Sequence, residues 1–190
     1  MEEDLGQRLE MAWAWLAQGV QQRHSAAHTP ALATVDAQGQ PQVRTLVLRA
    51  VDAPARRLRL HSDRRSAKWQ ELSRHPACQL LIYDAGLKRQ LRLAGGARVA
   101  GDSPLADQAW TQSRAMSRRC YQQQAAPGTP AADPVSALRL DEDEHQARDR
   151  FGVIEIEIHS LDLLVLAAAG HRRSHHRWTA AGWVSSWVAP

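Results

Sequence analysis

Between Arg44 and Arg74, nine Lys or Arg residues stand against three Asp or Glu. Two pieces of this stretch could act together. Arg44-Thr-Leu-Val-Leu-Arg49 is an apolar, β-prone run closed at both ends by Arg, and Ser62-Asp-Arg-Arg-Ser-Ala-Lys68 carries a helix start signal. A helix N-terminus presents free N–H groups and positive partial charge, and so favours an anion. Basic side chains in a first turn oppose that dipole unless an anion sits among them, so Ser62, Arg64, Arg65, Ser66 and Lys68 read as a phosphate cradle. Strand alternation sends Arg44, Leu46 and Leu48 one way and Thr45, Val47 and Arg49 the other, so the two arginines serve different groups. As an isolated pair they would equally well end a buried strand in solvent. The neighbouring helix start favours the ligand.

A second cationic cluster is His171-Arg-Arg-Ser-His-His-Arg177. If extended, it sets His171, Arg173, His175 and Arg177 on one face. A metal site is set aside, because no carboxylate or Cys lies at ligand spacing and His-x3-His-His on a strand gives no tetrahedral set. A basic strand gripping RNA is the second reading. A barrel strand presenting Arg and His to an anionic small molecule fits better. Gln90, in Arg89-Gln-Leu-Arg-Leu93, could hydrogen-bond a heterocycle or be an ordinary edge-strand amide. Trp110, Arg114 and Tyr121 could line a pocket mouth, with core packing the equal alternative for Trp110. No nucleophile arrangement of Ser/His/Asp or Cys/His type is legible.

These residues need elements to carry them. Leu5, Leu9, Trp13, Leu16 and Val20 recur at helical spacing, predicting an amphipathic N-terminal helix within residues 1–24 with Trp15 off its stripe. Runs 31–36 and 42–51 predict a hairpin around Ala37-Gln-Gly-Gln-Pro41, and 57–61 predicts a strand leading into a helix over 64–75 that Pro76 stops. Strands follow at 78–83 and 90–99, with Gly95-Gly96 marking a bulge or a close backbone approach. Ser103-Pro104 opens a helix to about Arg119, and residues 120–141 read as a loop or lid. A short charged helix over 141–150 precedes a strictly alternating strand, 152–159, and strands at 163–168, 172–178 and 182–188. About eight strands with hairpin connections predict a mainly β chain, a closed or nearly closed antiparallel barrel with peripheral helices. Rossmann and P-loop motifs are absent.

At 190 residues the chain fits one domain, 1–190. Its net charge of +4 permits nucleic-acid binding without requiring it. Cys78 and Cys120 make no disulfide framework, and no stretch approaches the roughly 20 apolar residues of a membrane span, so a cytoplasmic protein bound to neither nucleic acid nor membrane is expected. Only Lys68 and Lys88 among the 24 basic residues are lysines, so each is worth locating.

Taken together, Ala31-Leu-Ala-Thr-Val-Asp-Ala-Gln-Gly-Gln-Pro41, Arg44-Thr-Leu-Val-Leu-Arg49, Ser66-Ala-Lys68, Leu87-Lys-Arg-Gln90, Arg173-Ser-His-His-Arg177 and Trp187-Val-Ala-Pro190 resemble the pyridoxamine 5′-phosphate oxidase family over about residues 28–190. The Cys120-Tyr-Gln-Gln-Gln loop and Gly170-His-Arg-Arg resemble its Alr-type branch. The resemblance implies an FMN-binding split β-barrel with peripheral helices, working as a homodimer with FMN at the interface. It implies an FMN-dependent oxidoreductase that takes a hydride from a small substrate, the specific version being vitamin B6 phosphates. The alternative is a non-catalytic FMN or pyridoxal phosphate binding protein. Implied cofactor contacts are Arg44, Thr45, Leu46, Arg49, His61, Ser62, Arg65, Lys68, Gln90 and Arg177, with Arg44 and Lys68 on the phosphate. Implied substrate contacts are Arg49, Trp110, Arg114, Arg173 and His175, the last two orienting the reacting group. The chain departs from the family's pattern at Arg49 (Lys expected), Ala67 (Arg), Trp110 (Tyr) and Leu166 (Trp).

Overall fold

The computed structural model describes residues 4–135 and 138–190. Residues 1–3 of the expected N-terminal helical segment and residues 136–137 of the expected loop or lid lie outside the described residues. The strands are β1 (Ala31–Val35), β2 (Pro41–Thr45), β3 (Leu48–Asp52), β4 (Arg57–Asp63), β5 (Ala77–Asp84), β6 (Arg89–Ala100), β7 (Phe151–Val165), β8 (Arg172–Thr179) and β9 (Gly182–Val188). The helices are α1 (Leu5–Gln21), α2 (Ala67–Arg74), α3 (Pro104–Gln112), α4 (Ala115–Arg118) and α5 (Glu144–Arg150).

All the strand pairs are antiparallel, in the order β2-β1-β5-β6-β7-β4-β3, with β8 joined to β7 and β9 to β8. The long strand β7 decides the shape. Along one edge it pairs β6 from Ala100 to Arg89, while its other edge pairs β4 through residues 151–157 and β8 through residues 160–165. One edge therefore feeds two different strands, and the sheet splits where the partner changes. This is the mainly β split barrel with peripheral helices. The point of change coincides with a bulge: Ala94 faces Ser160 and Gly95 faces Ile158, so His159 is the extra residue. The buried side of β7 accordingly shifts from Ile154, Ile156 and Ile158 to Leu161 and Leu163. That phase shift joins the two stretches expected as separate strands, 152–159 and 163–168, into one.

The main core lies under α1. Leu32, Leu48, Leu60, Leu80, Leu91 and Ile156 pack with Trp13, Trp15 and Leu16 of the helix. Trp15 is buried although it lies off the apolar stripe, because α1 meets β3 and the β7–β9 strands together. Arg8 ties that helix down. Its Nε donates to Ser174 Oγ at 2.9 Å and Nη2 to the Leu163 carbonyl at 3.0 Å, and its guanidinium lies over the Trp187 ring. A second, smaller cluster joins Ala106, Ala109 and Trp110 of α3 to Ala147, Phe151 and Val153. It claims the Val153 side of β7, which strict alternation would have left wet.

The chain from 42 to 51 is not one strand. β2 ends at Thr45, Leu46 N–H donates to the Pro30 carbonyl, and β3 then leaves to pair with β4. The expected helix over 64–75 begins later, at Ala67, because Asp63 and Ser66 close a turn first. The expected helix from Ser103 breaks at Ser113 and Arg114 into α3 and α4, while Ser103 caps it through Ala106 N–H as its type predicts.

At Gly95 an added Cβ would press on the carbonyl oxygen of Glu157, so the expected close backbone approach is present. Gly95→Ala should therefore destabilise the fold by about 1–3 kcal/mol, read as a lowered urea midpoint with an unchanged slope. Gly39→Ala is the comparison: nothing crowds its Cβ, and its cost comes from a φ of 79°.

Candidate functional site

β4 alternates Leu58, Leu60 and Ser62 inward against Arg59 and His61 on the other side. One turn later the chain enters α2. Two neighbouring sites follow from this, one on each side of the strand's end.

The first surrounds the start of α2. Ser66 is its N-cap residue; Ser66 Oγ donates to the Asp63 carbonyl at 2.6 Å and lies 3.0 Å from Ser62 Oγ. Among the described residues, the backbone N–H groups of Ala67 and Lys68 find no acceptor, as is usual for a helix's first donors. Lys68 is half-buried, and its ammonium makes no hydrogen bond or ion pair among the described residues. Burial, followed by the charge of Arg44, lowers its pKa, while Asp63 and Glu71 pull the other way. Arg44 reaches this place from β2, but its guanidinium is engaged: Nη2 donates to Glu71 Oε2 at 2.9 Å and Nη1 to Thr34 Oγ1. Thr34 in turn donates to Glu71 at 2.5 Å. Arg65 turns away, held by Asp63 and donating to the carbonyls of Gln123 and Gln124, each at 2.8 Å. The open cation at the helix start is Lys68.

The second site is a cavity of about 640 Å³ on the Arg59–His61 side of β4. Arg49 and Ala50 of β3, Arg59 and His61 of β4, Arg114 beyond α3, and Cys120 and Tyr121 line it, and Arg23 and His28 close it from beyond α1. Burial first, then the charges of Arg49 and Arg59, depress the His61 pKa to about 3, so its imidazole is neutral at pH 7. Burial raises the Tyr121 pKa, so its phenol keeps its proton. Tyr121 is held from behind: Arg150 donates to the carbonyls of residues 121, 122 and 123, and the Tyr121 ring stands edge-on to Phe151 at 5.0 Å.

Of the residues expected from sequence, Arg44, Ser62 and Lys68 gather at the α2 start, and Arg49, His61 and Arg114 at the cavity. Trp110 does not line this cavity; it is buried against Phe151 and Tyr121. Arg173 and His175 lie on β8, outside the cavity lining, with Arg173 bidentate on Asp162 at 2.9 and 2.7 Å. Gln90 sits between Tyr83 and Leu164 on β6, Thr45 is exposed on β2, Leu46 is buried, and Arg177 is exposed on β8. Sequence reading missed Arg59, although its alternation with His61 placed both on one side. Arg23 and His28 carry no such signal. Among the described residues no three His, Cys, Asp or Glu come together to hold a metal, and no helix is long and apolar enough to cross a membrane.

The family model described as pyridoxamine 5′-phosphate oxidase matches residues 16–161, most of the chain. The chain belongs to that family. Curated members similar to it include the pyridoxine/pyridoxamine 5′-phosphate oxidases of Paraburkholderia phymatum, 33% identical over 105 residues (55% of this chain and 48% of the relative), and Bordetella petrii, 29% identical over 138 residues (73% and 62%). The chain thus spans about half to three-fifths of the length of these oxidases. Among solved structures, a pyridoxamine 5′-phosphate oxidase-related, FMN-binding protein from Nostoc punctiforme superposes with a TM-score of 0.81 at 22% identity, covering 100% of both chains. PhzG from Burkholderia lata, solved with tetrahydrophenazine-1-carboxylic acid, gives 0.75 at 18% identity, covering 96% of this chain and 92% of its own. At those identities the two structures establish the oxidase family's fold for this chain.

Two histidines, His61 partly buried and His176 buried, give the fold a pH dependence. His176 lies between Ser174 Oγ at 3.0 Å and Ser185 Oγ at 2.7 Å, and burial, then Arg8 and His175, lower its pKa to about 4. With His61 at about 3, both bind a proton less readily folded than unfolded. Their stabilising contribution is complete above about pH 6.5, the unfolded value, and is lost progressively as pH falls from there toward their folded values. Urea midpoints should stay level from pH 8 to 7 and fall between pH 6.5 and 5, above the carboxylate range, by on the order of a few kcal/mol. His61→Gln should flatten part of that slope.

Proposed function

We propose that this chain is a single-domain FMN-binding flavoprotein and an FMN-dependent oxidoreductase acting on a small anionic substrate. The observation that carries this reading is Lys68: a half-buried ammonium without a hydrogen-bonding partner among the described residues, beside the two open N–H groups at the start of α2. That donor set fits a phosphate, since a doubly charged oxyanion would satisfy the N–H groups and offset the desolvation of the ammonium. Arg44 adds charge nearby while Glu71 holds its guanidinium in place. Ser62 supplies a hydroxyl on the same side.

When bound, FMN supplies the two-electron chemistry, accepting a hydride from the substrate. The chain's own residues bind and orient. Arg49 and Arg114 hold the substrate's negative group in the cavity, and neutral His61 offers a hydrogen bond without adding charge. Tyr121, protonated and backed by Phe151, walls the cavity.

A homodimer completes this reading. Val43, Leu81 and Tyr83 are exposed on one face of the β2-β1-β5 sheet, where Val43 faces Ala33 and Leu81 faces Ala31. A second copy covering that face would bury them and would allow Arg173 and His175 of one copy to serve the other's cavity. A non-catalytic FMN or pyridoxal phosphate carrier is the second reading, favoured by Trp110 in the core and Arg173 on Asp162. Anaerobic mixing of the FMN-loaded protein with pyridoxine 5′-phosphate, pyridoxamine 5′-phosphate or a nicotinamide donor separates them. Bleaching of the flavin absorbance by one of these supports the oxidoreductase; no bleaching by any, with FMN retained, supports the carrier.

A further inference from the structure

The end of β4 meets the beginning of β7: Asp63 faces Phe151 across the two strands, and Arg64 N–H donates to the Arg150 carbonyl at 2.8 Å. That pairing brings Arg65 and Arg150, far apart in the chain, to one row of main-chain carbonyls. Arg150 Nη1 donates to the carbonyls of Tyr121, Gln122 and Gln123 at 3.4, 3.2 and 3.0 Å, and Arg65 donates to those of Gln123 and Gln124 at 2.8 Å each. Carbonyls in an irregular segment need partners that a helix or ladder would otherwise supply, and here two guanidiniums supply them. The first residue of the segment, Tyr121, walls the cavity beside β4.

The other side of Arg65 grips the turn that starts α2. Its Nε and Nη2 donate to the Asp63 carboxylate at 3.0 and 2.7 Å, and its backbone N–H donates to the same carboxylate at 2.8 Å. Asp63 is only 7% exposed, and its carbonyl accepts from Ser66 Oγ at the head of the helix. Burial sets the direction of the pKa shifts of both Lys68 and Tyr121, and Asp63 is among the charges acting on each, so this carboxylate stands between the α2 start and the cavity wall. A nearly buried carboxylate beside a phosphate site repels the phosphate unless a cation holds it, and Arg65 is that cation. Its planar fork meets the carboxylate and two carbonyls at once, which the compact ammonium of a lysine does not.

We propose that Arg65 is a positioning residue joining the two sites: it neutralises Asp63 at the α2 start and seats residues 121–124, and with them the Tyr121 wall, without itself touching the FMN phosphate. The inference rests on the reading of the α2 start as the FMN phosphate site. It makes the wall of the cavity depend on the turn that holds the cofactor.

The test combines fluorescence titration with FMN and backbone hydrogen exchange of residues 121–124, on the full chain with and without FMN. Arg65→Gln should weaken FMN binding about tenfold or more, because Asp63 then faces the phosphate unpaired. Asp63→Asn added to it should bring FMN affinity back to within about threefold of the original, a rescue that neither a phosphate ligand nor a merely structural arginine would allow. Exchange at 121–124 should be faster in both variants, since neither restores the bonds to the carbonyls. Arg65→Lys should separate the two roles, holding FMN through its pairing with Asp63 while exchange at 121–124 stays fast. Failure of Asp63→Asn to restore FMN binding overturns the proposal, as does unchanged exchange at 121–124 in Arg65→Gln. An unaltered chain that does not take up FMN overturns the reading beneath it instead, while the exchange comparison still decides whether Arg65 seats the segment.

Discussion

Replacing Lys68 with Glu should weaken FMN binding at least 1,000-fold, about 4 kcal/mol. Removing a hydrogen bond to a charged group costs about 1.5–3 kcal/mol. The new carboxylate adds repulsion from the phosphate of about 1–4 kcal/mol at contact distance. It would also join Asp63 and Glu71, the two carboxylates that already influence this position. Lys68→Met keeps the apolar stem and should show only the first cost, so the pair separates loss of a cation from loss of packing. Fluorescence titration of FMN checks both variants, with thermal unfolding as the control that each still folds.

Arg49→Glu should leave FMN affinity within about threefold and lower kcat/KM for an anionic substrate by about 100-fold or more, again from a lost charged contact plus repulsion. The contrast follows from the break at Leu46–Val47. It sends β2, with Arg44, toward α2 and β3, with Arg49, to the cavity wall. Steady-state oxidation together with the FMN titration reads both quantities. Equal damage to FMN affinity from Lys68→Glu and Arg49→Glu would contradict the division between the two sites.

That division was half legible in the sequence. Strand alternation separated Arg44 from Arg49, but the uninterrupted β-prone run 44–49 hides the change of partner, which is set by Pro30 and β4 far along the chain. Gly95 announced its close approach because only a missing Cβ fits against Glu157. Ser103-Pro104 announced a helix because capping is local. The late start of α2 was not legible: Asp63 and Ser66 satisfy their own turn, and a pattern of polar residues does not say which bond wins. The cavity was the least legible feature, since Arg23, His28, Arg49, Arg59 and Arg114 come from distant segments and meet only through the fold. Trp110 shows the converse, a residue carried over from a family motif whose ring packs into the second core.

The structure also changes what the cationic comb on β8 means. Its buried side, Ser174 and His176, is an anchor for α1 through Arg8, and its outer side offers Arg173 already paired with Asp162. A side chain so held is a positioned one. Asp162→Asn should loosen it and impair substrate turnover more than FMN retention.

The most direct test of the central claim is the visible absorption spectrum of the protein purified from cells supplied with riboflavin, before and after adding FMN and removing the excess. The expected result is a yellow protein whose flavin bands stay with it through gel filtration and whose unfolding temperature rises with FMN. A colourless protein that neither retains nor is stabilised by FMN would contradict the assignment of Lys68 and the α2 start to a flavin phosphate.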